Sequence, residues 1–221
     1  MRKLLNFVFL AVLMLVLPAA PAAAQPLPQD VITVGSGSGP AGTVVDIPVY
    51  IRDTSGTPLG IDQPAGMRIQ SWSIKVDYSP TSPIQSITFT RAGITAGLTP
   101  AFESSPAVPG SISLIDTFAE NTNLVPFTSN AALPGNQVAH LLVTLSGTAT
   151  PGQIITLNLD PILTQLANQA GTTTETVGAG NLLLVNGTLT VTQAGGAPTL
   201  STWAMIVLAV TLAFVAIRFR T

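Results

Sequence analysis

The chain has 221 residues, 47% hydrophobic and only 8% charged, against roughly 25% charged in an ordinary soluble domain. Arg2, Lys3, Arg218 and Arg220 sit at the ends, and all ten acidic residues lie between Asp30 and Glu175, so four basic groups face ten acidic ones in the middle, a net −6. No basic run or interleaved aromatics offer a footprint for nucleic acid. Cysteine is absent, which excludes disulfides and thiolate metal sites.

In chain order, the first element is an export signal. Arg2-Lys3 is a positive start, Leu4–Leu17 is an apolar stretch broken only by Asn6, and Ala22-Ala23-Ala24 supplies small residues before Gln25. This pattern predicts a secretory signal peptide over residues 1–24, cleaved between Ala24 and Gln25.

The body, residues 25–192, reads as short β-prone runs between Gly/Pro turns. Strands are expected at Val31–Val34, Thr43–Ile51, Met67–Tyr78, Ile84–Thr90, Ser111–Thr117, Gln137–Ser146, Gln153–Leu159 and Leu182–Val191. In the third, Trp72, Ile74, Val76 and Tyr78 share one face, and Ser71, Ser73, Lys75 and Asp77 the other. That period of two marks a half-buried strand. Gly35–Gly42 and Gly171–Gly180 read as loops, Asp53-Thr54-Ser55-Gly56 as an ordinary turn, and Pro161–Ala167 has helical spacing. Such a pattern predicts an all-β sandwich or jelly roll of about nine strands.

The chain ends in a third element. Pro198-Thr199-Leu200-Ser201-Thr202-Trp203 precedes an apolar run to Ile217 and then Arg218-Phe219-Arg220. The run, taken as a helix over about residues 203–217, is near the lower limit for a membrane span. Trp203 suits the outer interface and the arginines the cytoplasmic side.

Pro198, Thr199, Leu200, Ser201 and Trp203, followed by a short helix and arginines, resemble the IPTL-CTERM sorting tail of bacterial surface proteins, which usually reads Ile-Pro-Thr-Leu-Ser-Glu-Trp; Ala197 and Thr202 are the departures here. The resemblance implies a bacterial protein sorted to the cell envelope or secreted, membrane-tethered at least transiently through residues 193–221.

A second resemblance covers the body. Its segments are Pro40-Ala41-Gly42-Thr43-Val44-Val45-Asp46-Ile47-Pro48-Val49, Val76-Asp77-Tyr78-Ser79-Pro80, Val138–Leu145 and Val185-Asn186-Gly187-Thr188-Leu189-Thr190-Val191. In this order they resemble the cohesin-like family, with its Tyr-Asp-Pro turn and final Val-Asn-Gly-Ser-Val-Thr-Val strand. The resemblance implies a nine-stranded jelly roll that binds a protein partner, dockerin-like or another surface protein, through one sheet face. The candidate face carries Ser71, Ser73, Lys75 and Asp77; Ser71 and Ser73 stand where cellulosomal members often carry an Asn-x-Asp pair, and Ser79 replaces the turn Asp.

Catalytic signals are sparse. His140 is the only histidine and sits in a strand pattern, and no Gly-x-Ser-x-Gly elbow occurs. No enzyme activity and no cofactor are expected. Asp116-x-x-x-Glu120-Asn121-x-Asn123 is an oxygen-rich cluster of the kind calcium favours, without EF-hand spacing, so Asp116, Glu120 and Asn123 are the calcium candidates beside a reading as a solvated turn. Two rival binding functions remain: a polysaccharide module using Tyr50, and a surface or matrix protein that self-associates through its weakly charged exterior.

Overall fold

In the computed structural model, which describes residues 27–194, the alternating runs become two packed sheets. The strands are β1 (Asp30–Val34), β2 (Gly37–Pro40), β3 (Val44–Arg52), β4 (Ser71–Ser79), β5 (Ile84–Arg91), β6 (Phe102–Ser104), β7 (Ala107–Val108), β8 (Ser111–Thr117), β9 (Asn136–Leu145), β10 (Ile154–Leu159), β11 (Gln165–Ala167), β12 (Thr174–Thr176), β13 (Leu182–Val185) and β14 (Gly187–Thr192). The first sheet runs β13-β1-β3-β9-β5. In the second, β8 covers one edge of β4 from Ser71 to Asp77, and β10 and β11 share the other edge end to end. This sheet continues through β14 to β2 and ends in β12, β6 and β7.

The alternation sets the core. Ile47, Val49 and Ile51 of β3 and Leu141 and Val143 of β9 face Trp72, Ile74 and Val76 of β4 and Leu114 of β8, all at most 1% exposed. Trp72 stacks tilted on Phe118 at 5.3 Å between ring centroids and meets Phe127 edge-on at 6.5 Å.

The eight expected runs are present, and the last divides in two. β13 pairs parallel with β1, then the chain crosses sheets at Asn186 and continues as β14 beside β10 and β2. Asn186 Oδ1 accepts the Leu159 N–H at 2.8 Å, so the Asn186-Gly187-Thr188 segment is a strand crossover. β1 passes to β2 through Gly35, and a Cβ on Gly187 would overlap the Gly35 carbonyl. The two crossovers pass so closely that only hydrogen fits. Gly187→Ala is therefore expected to cost about 1–3 kcal/mol or more, measured as a lower denaturant midpoint; an unchanged midpoint would show that the crossovers separate freely.

Two loop readings are corrected. Gly35–Gly42 contains β2, and Gly171–Gly180 contains β12, whose Glu175 is fully buried. The turn at residues 53–56 is present, with its Asp53 also fully buried. The helical spacing of residues 161–167 yields one turn and then β11. Asp160 Oδ1 caps the start of the turn by accepting the N–H groups of Ile162 and Leu163 at 2.8 and 3.0 Å, and its end is drawn into the sheet because Thr164 Oγ1 bonds to the backbone of the distant Lys75. After one turn the chain pairs with β4 as β11.

The signal peptide, its Ala24–Gln25 cleavage point, the Pro198–Trp203 motif and the helix expected at 203–217 lie outside the described residues. Among the described residues no helix is long and apolar enough to cross a membrane.

Candidate functional site

The outward side of the second sheet gathers the polar half of β4. Ser71, Ser73, Lys75 and Asp77 are half-buried and stand in register with Thr117, Ile115, Ser113 and Ser111 of β8. On the other edge Asp77 faces Asn158 of β10 and Ser73 faces Gln165 of β11. The result is a face rich in hydroxyls and amides, as the period of two dictates.

Its charges are concentrated at one place. Lys75 Nζ is 2.8 Å from Asp160 Oδ2 and 3.4 Å from Asp77 Oδ1. The bond to Asp160 raises the lysine above its ordinary range, and the same bond, with the two turn N–H groups, lowers Asp160. Lys75 thus anchors the 160–164 turn, while Asp77 keeps a side chain 47% exposed. The anchored turn presents Ile162, 83% exposed, and Leu163, 51% exposed. Sequence reading saw only helical spacing here and missed the exposed pair, because spacing does not say which side of a turn faces water.

Other candidates scatter. Asp116 is fully buried. Glu120 accepts the Gly66 N–H at 2.9 Å and lies 3.7 Å from Arg68, and Asn123 Oδ1 accepts the Thr99 N–H at 3.1 Å. These three calcium candidates are thus committed to different surroundings, and among the described residues no three His, Cys, Asp or Glu side chains are grouped to hold a metal. His140 Nδ1 lies 3.1 Å from Asp46 Oδ2 on the outside of the first sheet. Trp72 and Tyr78 are buried and cannot stack on a sugar, and Tyr50 is half-buried on β3.

The inner face holds an unexpected row. Register places Glu175, Leu166, Trp72, Asp116 and Glu103 side by side across β12, β11, β4, β8 and β6. Burial pushes Asp116 up to about 7, aided by the charge of Glu103 and opposed by Arg91 and Trp72. At the β6 end Glu103 pairs with Arg91 of the opposite sheet. At the β12 end Glu175 meets another carboxyl group, Asp30 of β1. The sequence did carry one signal: Ile112, Leu114 and Asp116 fall on the same side of β8.

No protein-family model matches the sequence, and no curated protein matches it. Solved structures do match. CaCohA2 of Clostridium acetobutylicum in solution is 20% identical, with a TM-score of 0.53 over 78% of this chain and 95% of that one. The sandwich is cohesin-like. The third ScaC cohesin of Acetivibrio cellulolyticus, in complex with the ScaB dockerin, is 18% identical with a TM-score of 0.52, over 74% of this chain and 99% of that one. The OlpA cohesin of Clostridium thermocellum, in complex with Doc918, is 14% identical with the same TM-score of 0.52, over 74% and 99%. At these identities the likeness carries the fold, and the cohesin-like reading of the body stands on it.

Proposed function

We propose that this chain is an exported, non-catalytic binding protein of the bacterial envelope that captures a dockerin-type protein module on the outer face of its second sheet. The observation that carries the reading is the exposed Ile162–Leu163 pair, held beside Asp77 by the Lys75–Asp160 anchor. Binding surfaces take their energy from a few apolar anchors, with polar neighbours excluding water around them. Ser71, Ser73, Ser111 and Ser113 form a low-charge surround that a helical partner can approach closely. The cohesin-like fold, seen in complex with dockerins in its structural neighbours, supports this choice of partner. The resemblance of Pro198–Trp203 to a sorting tail supports an envelope setting for this face.

Calorimetry with purified dockerin modules encoded in the same genome tests the reading. At least one module is expected to bind, and Ile162→Asp combined with Leu163→Asp is expected to weaken it about tenfold or more, with circular dichroism unchanged. Asp77→Ala is expected to weaken it less. Absence of binding by every module would overturn the partner class, and full affinity in the double variant would overturn the face.

A further inference from the structure

The β12 end of the inner row gathers three buried carboxyl groups. Asp30, Asp53 and Glu175 are all fully buried, and each keeps one oxygen, Asp30 Oδ2, Asp53 Oδ1 and Glu175 Oε2, without a donor. Their other oxygens are well used. Asp30 Oδ1 accepts the Thr54 N–H at 2.7 Å and the Thr57 hydroxyl at 3.3 Å. Glu175 Oε1 accepts the Leu59 N–H at 2.8 Å, and Asp53 Oδ2 accepts the Ile61 N–H at 2.8 Å. These bonds clamp the 53–63 segment from both sides, Asp30 belonging to the first sheet and Glu175 to the second.

The groups facing Asp30 are Glu175 on β12 and Asp53 beyond β3; those facing Glu175 are Asp30 and Asp53; Asp62 of the clamped segment faces Asp53. All are carboxyl groups. Arg52, on the neighbouring strand end, donates instead to the Ala131 carbonyl and the Thr54 hydroxyl. Gly60 leaves no room for a larger side chain, since a Cβ there would stand 2.7 Å from both Asp53 Oδ1 and Asp62 Oδ1. Two carboxylates within hydrogen-bonding reach and without a cation repel each other strongly in a buried setting. A proton between them removes the repulsion and supplies the missing donor, as in paired-carboxyl sites that titrate as one unit.

We propose that Asp30 and Glu175 share one proton and form a latch that holds the 53–63 segment and β12 against β1, and that loss of this proton releases both. Burial first, and then Glu175, push Asp30 up to about 9, and burial raises Glu175. The latch is therefore closed at acidic and neutral pH and opens as pH rises through about 9. On opening, the proton passes to water or hydroxide and two anions face each other. The released segment carries Leu59, now fully buried, and walls a cleft of about 530 Å³ that Thr57, Pro58 and Gln63 line together with Asn181. Opening reshapes this cleft and exposes one end of the core, leaving the face at Asp77 and Ile162 in place.

Amide exchange followed by mass spectrometry on the mature chain, corrected for the chemical pH effect, tests the latch. Between roughly pH 6 and pH 10, exchange across residues 54–61 and 174–176 is expected to rise about tenfold or more while β3 and β9 stay protected. Glu175→Gln is expected to abolish this rise, because its amide donates to Asp30 with no proton required. Asp30→Asn makes the same replacement from the other side and serves if Glu175→Gln does not fold. Equal protection of the wild type at both pH values would overturn the latch, as would a variant that keeps the wild-type rise. Recovery of protection at high pH on adding calcium chloride would also overturn it, because a cation would then be the natural bridge.

Discussion

Asp116→Asn is expected to stabilise the protein above neutral pH and to make its stability fall less steeply between about pH 4 and pH 7. Asp116 is fully buried on the inner face of β8, and neither carboxyl oxygen receives a hydrogen bond of good geometry, although Trp72 stands near enough to oppose the rise weakly. Its folded value is raised from 3.8 to about 7 by burial first, then by Glu103. Below the unfolded value both states hold the proton, and Asp116 makes no pH-dependent contribution. Above it the unfolded chain ionises first, so the folded state binds more protons and stability falls as pH rises. The loss is complete once pH passes the folded value, near 7. A shift of this size corresponds to an upper bound on the order of 4 kcal/mol.

Asparagine cannot ionise, so the variant should lack this fall. Urea midpoints at acidic and mildly alkaline pH measure it. A variant profile parallel to that of the wild type would show that Asp116 is not the titrating group. Both proteins should still lose stability from about pH 4 upward, because Asp30, Asp53 and Glu175 are raised in the same direction, and the variant should differ by a shallower fall up to about pH 7. A domain with these groups is strongest in mild acid, whereas acid usually weakens proteins whose carboxylates are paired with cations.

Trp72→Ala is expected to be the most damaging core substitution, costing about 3–5 kcal/mol. Trp72 is 1% exposed and touches both Phe118 and Phe127, so its removal opens a cavity that two aromatic rings line. It also sits between Leu166 and Asp116 in register, at the middle of the inner row. Chemical denaturation followed by far-ultraviolet circular dichroism gives the loss, with Trp72→Phe as the milder comparison. A loss under about 1 kcal/mol would mean that the surrounding side chains collapse into the space.

The strand framework was legible because alternation is a local property. Trp72, Ile74, Val76 and Tyr78 against Ser71, Ser73, Lys75 and Asp77 states which side of β4 is wet, whatever lies next to it. The cohesin-like order of segments was legible for the same reason, since each segment is a strand or a turn. The short strands were not. β2, β6, β7, β11 and β12 have two to four residues each. Runs so short show no period; β2, β6, β7 and β11 each add to an edge of a longer strand, and β12 adds to β11.

The candidate face was legible as a set of residues, but its most prominent feature was not. Ile162 and Leu163 are exposed because Asp160 caps the turn and Lys75 holds Asp160, a contact across 85 residues. Helical spacing alone cannot reveal that anchor. The same limit explains Asp116. Its alternation with Ile112 and Leu114 was present in the sequence, yet the nearby Glu120 and Asn123 suggested a wet loop, and only the placement of β8 beside β4, with Asp116 next to the buried Trp72, shows that the carboxyl group is dry.

The sequence by itself therefore determined the β-sandwich class, the polar side of β4 and the low, acidic charge of the body, because these follow from composition and from a period of two. The tertiary structure alone decided which strand edges pair, which acids are buried, and that Asp30 meets Glu175 across 145 residues of chain. Burial and proximity between distant residues are properties of the packed chain, and a carboxyl group reads the same in sequence whether water or another carboxyl group stands beside it.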